Sequence, residues 1–350
     1  MSKRGIIMKK KKVLSLVLAG AMTLAAVGAM GCGSSSSASS ASASGSASSS
    51  AAASEDAKYT VGICQLVQHD ALDAATEGFK EALETELGEG NVTFDEQNAS
   101  GDSATCSTIV NKFVSDGVDL IMANATPALQ SAVSATAEIP IVATSVTDYA
   151  TALDISDWTG TTGMNVTGTS DLAPLEDQAK MIKELVPDAQ SVGILYCSAE
   201  ANSKYQAETI EGYLDEMGLA YKEYTCADTN DVSPVVQSAC AENDVLYIPT
   251  DNTMASSAEL VNNIAEPAGI PIIAGEEGIC KGCGIGTLSI SYHDIGYKAG
   301  EMAARILKDG EDPKDMEIEF AAELTKEYIQ SRCDALGITV PSDYTAIEAE

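Results

Sequence analysis

Apolar and polar positions change rhythm along the chain in a regular way. Short apolar runs alternate with longer stretches whose apolar residues recur every three or four positions. The runs Tyr59–Ile63, Asn91–Asp95, Val118–Met122 and Ile139–Ala143 predict strands. Between them, Leu72, Ala75, Phe79, Ala82 and Leu83 predict a buried helical face, as do Ile109, Val110, Phe113 and Val114 in a helix over 102–116. A further helix is expected over 126–137. The alternation resumes with helices over 172–186, 202–217, 231–241 and 254–268. Each is followed by a strand: Ser191–Tyr196, Ala220–Thr225, Val245–Ile248 and Ile270–Ile273. Regular βα alternation predicts parallel sheets in right-handed units. Aromatics make up only 5% of the chain, so the cores are built from Ala, Val, Ile and Leu, as suits such sheets.

The two series are separated by a Gly-, Thr- and Asn-rich stretch, Asp154 to Asp171, read as the first crossing between two lobes. Trp158, the only tryptophan, lies there and is read as packing at the hinge, the alternative being to stack on an aromatic ligand. Gly286–Tyr292 is strand-like, leads into a helix over 293–308 and returns to the first lobe. The expected fold class is α/β: two doubly wound parallel-sheet lobes joined by a multi-strand hinge. The N-terminal lobe takes 58–170 and 287–317, and the C-terminal lobe takes 171–286 and 318–350. Open α/β sheets bind ligands beyond the carboxyl ends of their strands. Here both lobes turn those ends toward one cleft.

The first 57 residues follow none of this. Lys9 to Lys12 form a positive segment, and Val13 to Val27 is apolar but too short for a comfortable membrane span. Gly28, Ala29, Met30, Gly31 and Cys32 follow. The pattern resembles a bacterial lipoprotein leader: residues 1–31 are a signal peptide and Cys32 the lipidated first residue of the mature chain. The match is good at Gly31-Cys32 and imperfect at Ala29, where the family usually has Leu. The Ser-, Ala- and Gly-rich segment from 33 to 54 cannot bury enough apolar surface to fold. Residues 32–57 are therefore expected to be a flexible tether reaching on the order of 25 Å. The protein is expected on the outer face of the cell membrane.

Charge narrows the partners. The chain carries 52 acidic and 20 basic residues, a net charge of -32. Six of the basic residues fall in the first twelve positions, so the mature part is more acidic still. Such a surface repels nucleic acid and anionic membranes. Catalytic signals are missing. There are two histidines, His69 and His293, and no HExxH, GxSxG or GxxxxGK. Besides Cys32 there are eight cysteines, and their spacings match no compact disulfide framework. Cys280-Lys-Gly-Cys283 lies in a Gly-rich stretch read as a loop. It is open to three readings: a local disulfide or free thiols, a redox pair, or half of a metal site.

Several segments together carry a family likeness. Val61-Gly-Ile-Cys-Gln-Leu-Val-Gln-His-Asp, Asp119-Leu-Ile-Met-Ala-Asn-Ala-Thr-Pro-Ala, Asn165-Val-Thr-Gly-Thr-Ser-Asp, Ser198-Ala-Glu-Ala-Asn-Ser and Tyr247-Ile-Pro-Thr-Asp-Asn each fall in or after a strand. In that order they resemble ABC transporter substrate-binding proteins of the tryptophan/tyrosine type, over roughly residues 58–340. The resemblance implies the type I periplasmic-binding fold, capture of a small-molecule solute without catalysis or cofactor, a monomer, and partner permease and ATPase subunits. It implies an amino acid, an aromatic one, as solute. Two rivals remain: a ligand sensor that reports to a membrane receptor, and a surface redox or metal protein using Cys280 and Cys283.

The candidate contacts follow the strand tips. Ala125 and Thr126 open a helix with Pro127 at its first position, where free N–H groups receive a carboxylate. Thr126 equally suits a helix cap. Thr144 and Ser145 follow the next strand, and by resemblance that loop faces the ligand. Gln65 and His69 follow the first strand. In the second lobe Asn202, Asp251 and Asn252 follow strands, and Asp251 suits an ammonium group. Glu276 competes with it; each acid also suits a cap. The solute's carboxylate is thus expected on lobe one and its ammonium on lobe two.

Overall fold

The computed structural model describes residues 58–349, so the leader, Cys32 and the tether lie outside them. The first lobe runs β1 (Tyr59–Gln65), α1 (Asp70–Leu87), β2 (Val92–Asn98), α2 (Ser103–Asp116), β3 (Leu120–Asn124), α3 (Thr126–Ala135), β4 (Ile141–Thr144), the short α4 (Tyr149–Ala152) and β5 (Val166–Ser170). The second runs α5 (Leu175–Leu185), β6 (Ser191–Cys197), α6 (Ala201–Met217), β7 (Ala220–Cys226), α7 (Val232–Glu242), β8 (Val245–Ile248), α8 (Asn252–Ala255), α9 (Ala258–Ala268), β9 (Ile272–Ala274), α10 (Glu277–Cys283) and β10 (Gly286–Ser289). The chain then returns with α11 (Tyr292–Ala304) and β11 (Glu319–Phe320) before ending in β12 (Thr325–Ile329), α12 (Gln330–Leu336) and β13 (Thr345–Ile347).

Two sheets result, ordered β11-β5-β4-β3-β1-β2 and β13-β12-β10-β9-β8-β6-β7. All their pairs are parallel except β10 with β12. Central strands β3, β4 and β8 are buried along their whole length, as helices on both faces require. α1 and α11 lie unusually close. A Cβ on Gly78 would stand 2.1 Å from the His293 carbonyl, and one on Gly296 the same distance from that of Ala75. That contact ties the returning helix to the first lobe.

The chain changes lobe after Ser170, after Ser289 and after Phe320. The stretch 154–171 therefore does not cross as a whole, because β5 within it still pairs with β4. The expected boundaries at 287 and 318 also shift. β10 stays in the second sheet through Ser289, and β11 extends the first sheet through Phe320. Trp158 is 38% exposed and does not pack as expected. Cys280 and Cys283 sit buried on α10, not in a loop, and all eight cysteines of the described residues are free and buried. Among those residues no group of three or more His, Cys, Asp or Glu could hold a metal ion.

Candidate functional site

The loops after β3 and β4 are joined by a hydrogen bond from Ala125 N to Thr144 O, 3.1 Å. Both carry a non-glycine residue with positive φ, Ala125 at 90° and Ser145 at 56°. Such backbone costs on the order of 1–3 kcal/mol and persists where the surroundings demand it. Ala125, not Thr126, is the N-cap of α3, and Pro127 is the second helical residue, one position later than expected. Thr126 therefore makes no cap hydrogen bond. Its Oγ1 is buried without a partner, and so is Ser145 Oγ.

In the second lobe, Asn202 donates from Nδ2 to Glu200 Oε2, Ser203 Oγ and Thr250 O, each at 3.2 Å. Its Oδ1 is left buried and unpartnered. Glu200 organises this rim. One oxygen accepts from Asn252 N (3.1 Å) and Nδ2 (2.7 Å), the other from Thr253 N (2.9 Å) and Oγ1 (2.8 Å).

Four expected contacts turn out to be committed to the protein itself. Asp251 accepts from Cys197 N (2.6 Å) and Met254 N (2.8 Å), capping α8 and tying it to the tip of β6. Glu276 caps α10 through the Gly278 and Ile279 N–H groups. The Thr144 hydroxyl lies 2.9 Å from Thr169 Oγ1, inside the sheet. Gln65 bonds Val67 O (2.9 Å), Asp73 Oδ1 (2.6 Å) and Thr76 Oγ1 (2.6 Å), holding the loop after β1 in shape. Each Asp251 oxygen is thus engaged by one backbone N–H group, and the residue is 1% exposed.

A further buried acid, not anticipated from the sequence, stands at the hinge. Asp171 follows β5 at the first crossing and is 4% exposed. Its Oδ2 accepts from Tyr292 OH at 3.0 Å, across to the second crossing, while Oδ1 is buried and unpartnered. Burial pushes its pKa up to about 6, against the Thr147 and Tyr292 hydroxyls, which favour the charge. Thr147 acts from outside hydrogen-bond geometry. Glu276, 3% exposed, is likewise raised by burial to about 7, partly by repulsion from Asp171.

The two lobes meet where His69 Nε2 lies 3.2 Å from Asn252 Oδ1. Burial holds the His69 pKa down, partly offset by that hydrogen bond and by Glu200, Asp73 and Asp70. Its Nδ1 is buried and unpartnered. A cavity of about 290 Å³ opens beside this contact, lined by Leu66, Val67 and Pro127 from one lobe and Glu200, Asn230 and Thr253 from the other. A second, of about 420 Å³, lies toward the hinge between Asp70, Asp73 and Glu77 on one side and Glu276, Glu277 and Lys281 on the other.

Residues 60–347 match the family model described as ABC transporter substrate binding protein. A tyrosine-binding protein of Clostridioides difficile (strain R20291) is 37% identical over 309 residues, covering 86% of this chain and 85% of the relative. Among solved structures, an ABC domain from Streptococcus pneumonia in complex with L-Trp agrees with a TM-score of 0.79 at 29% identity, over 83% of this chain and 99% of that one. The ligand-free, open structure of a substrate binding protein with adhesive properties from Clostridium difficile is 36% identical but agrees less well. Its TM-score is 0.64, over 83% of this chain and all of that one (100%). Agreement is better with the liganded protein, although it is the more distant in sequence. The fold is the type I periplasmic-binding fold. Proteins of this kind are solute binders, not an enzyme family, and they work outside the cytoplasm with an ABC permease. The chain belongs to the family of ABC transporter substrate-binding proteins.

Proposed function

We propose that the solute is an α-amino acid with an aromatic side chain, held as a zwitterion between the closed lobes. The observation that carries this reading is the set of polar atoms buried without partners at the strand tips. Burying a polar group unpaired costs about 1–3 kcal/mol, so several at the strand tips of the two lobes call for a guest. They divide by chemistry. The Thr126 and Ser145 hydroxyls, with the free N–H groups opening α3, suit a carboxylate. Asp171 Oδ1 and Asn202 Oδ1 can only accept, which suits an ammonium. His69 Nε2 donates to Asn252 Oδ1, so in the neutral ring its Nδ1 accepts and also suits the ammonium.

The aromatic part of the reading comes from the relatives, one named for tyrosine and one bound to L-Trp. The Leu66, Val67 and Pro127 wall supports it, offering apolar surface beside oxygen acceptors for a ring that carries an O–H or N–H. Delivery follows from the leader: a diacylated Cys32 anchors the chain stably, as one acyl chain would not, and the tether lets the lobes reach a permease. Calorimetric titration with the twenty amino acids tests the solute; heat with Tyr or Trp and none with the aliphatic set is expected. Detergent-phase partition of the exported protein, lost in Cys32→Ser, tests the anchor.

A further inference from the structure

We infer that Asp171 is the charge that holds the empty cleft open, so that a cation in the ligand is what allows the lobes to shut. This rests on the amino-acid reading above for the identity of the cation, but not for the gate itself.

Asp171 stands at a hinge crossing and is 4% exposed with the lobes together; the gate requires that parting the lobes, which withdraws Glu276, admits water to it. In the closed arrangement every group facing it is neutral or acidic. Thr147 approaches from the loop after β4. Tyr149 of α4 spends its hydroxyl on Ala143 O and Thr169 O. Tyr292 of α11 donates one hydrogen bond. From the second lobe comes Glu276, with Glu277 beside it. No Lys, Arg or His among the described residues forms an ion pair with Asp171. One oxygen keeps no partner at all. An ionised carboxylate sealed away from water without a cation is strongly disfavoured. The closed form must therefore gain an ammonium or a proton at this spot. Ligand affinity and closure are then coupled through a single contact, because only a guest that differs in its interaction with the two states can shift them.

The sign follows from the raised pKa of about 6 against an ordinary 3.8. The protonated carboxyl is the form the closed state favours, so the empty closed form gains as pH falls through 6 and loses above it. Linkage over that span makes the closed-to-open ratio about tenfold larger at pH 5 than at pH 7.5 from Asp171 alone. His69 pulls the other way, since the closed state favours its neutral form and disfavours acid.

The test is small-angle scattering of the ligand-free mature protein and of Asp171→Asn, at pH 7.5 and at pH 5. Expected is an open wild type at pH 7.5 and a more compact D171N, whose closed fraction rises on the order of a hundredfold relative to open. Acid should move the wild type toward closure relative to D171N, by about the tenfold factor. Equal radii for the two proteins at pH 7.5, with identical pH responses, would overturn the gate. Should D171N not fold, the wild type is measured in a His69→Gln background, and a radius independent of pH there overturns it equally. Failure of the amino-acid reading looks different: no amino acid compacts the wild type, while the D171N and pH results on the empty protein stand.

Discussion

His69 Nε2 and Asn252 Oδ1, residues of opposite lobes, lie 3.2 Å apart. The lone pair of the Asn252 oxygen requires the imidazole to donate there, and its Nδ2 is meanwhile fixed by Glu200. The contact exists only when the lobes are together. Removing it therefore acts on the lifetime of the closed complex more than on its rate of formation. In His69→Ala, ligand dissociation should accelerate about three- to tenfold, the worth of one hydrogen bond, with association little changed. Stopped-flow kinetics reads both rates.

Thr126 and Ser145 offer a sharper separation of stability from function. Their hydroxyls serve nothing inside the protein, so the empty protein loses nothing when they go. Thr126→Ala should leave the ligand-free melting temperature unchanged while weakening affinity about tenfold. Ser145→Gly should do more: it relieves the φ of 56° and raises ligand-free stability by about 0.5–1 kcal/mol, yet it loses affinity. Calorimetric melting beside binding titration separates the two effects.

Asp251 should behave in the opposite manner. Its carboxylate receives the Cys197 and Met254 N–H groups, so it holds β6 to α8. Asp251→Ala is expected to lower stability by about 1–2 kcal/mol, as the loss of a cap does, in the empty protein as much as in the bound one. Chemical denaturation with and without ligand checks this. A stability loss confined to the liganded form would restore Asp251 as a direct contact.

Cys280 and Cys283 lie buried on α10 with both thiols pushed toward the protonated form by burial, Cys283 to about 12. A thiol so held is a poor nucleophile and a poor metal ligand. The double Cys280→Ser, Cys283→Ser variant should keep its ligand affinity. A thiol reagent should react with these positions only after unfolding.

Much of the fold was legible because buried parallel strands and amphipathic helices have distinct periods, and β8 appears at Val245–Ile248 as the pattern predicts. The short elements were not. α4 spans four residues and α10 seven, too few for a helical period to emerge, so Cys280 and Cys283 read as loop. For the candidate site, the sequence pointed only to loops at strand tips, not to which side chains there stay unpartnered. A polar residue just past a strand suits a cap and a ligand contact equally well, and the choice depends on which neighbours reach it. Asp251 and Glu276 found N–H groups within their own lobe; Thr126 found none because the cap fell to Ala125. Asp171 and Glu200 carried the same signal, an acid soon after a strand, but nothing local marks the first as unpartnered or the second as the organiser of a rim.

The central claim is closure around a zwitterion, and scattering during titration tests it most directly. L-tyrosine, tyramine and 3-(4-hydroxyphenyl)propionate present the same ring with both charged groups, only the ammonium, or only the carboxylate. The radius of gyration should fall at saturation with L-tyrosine, and the two half-ligands should close the lobes far less. An unchanged radius at saturating L-tyrosine, or full closure by the carboxylate lacking an ammonium, would contradict it.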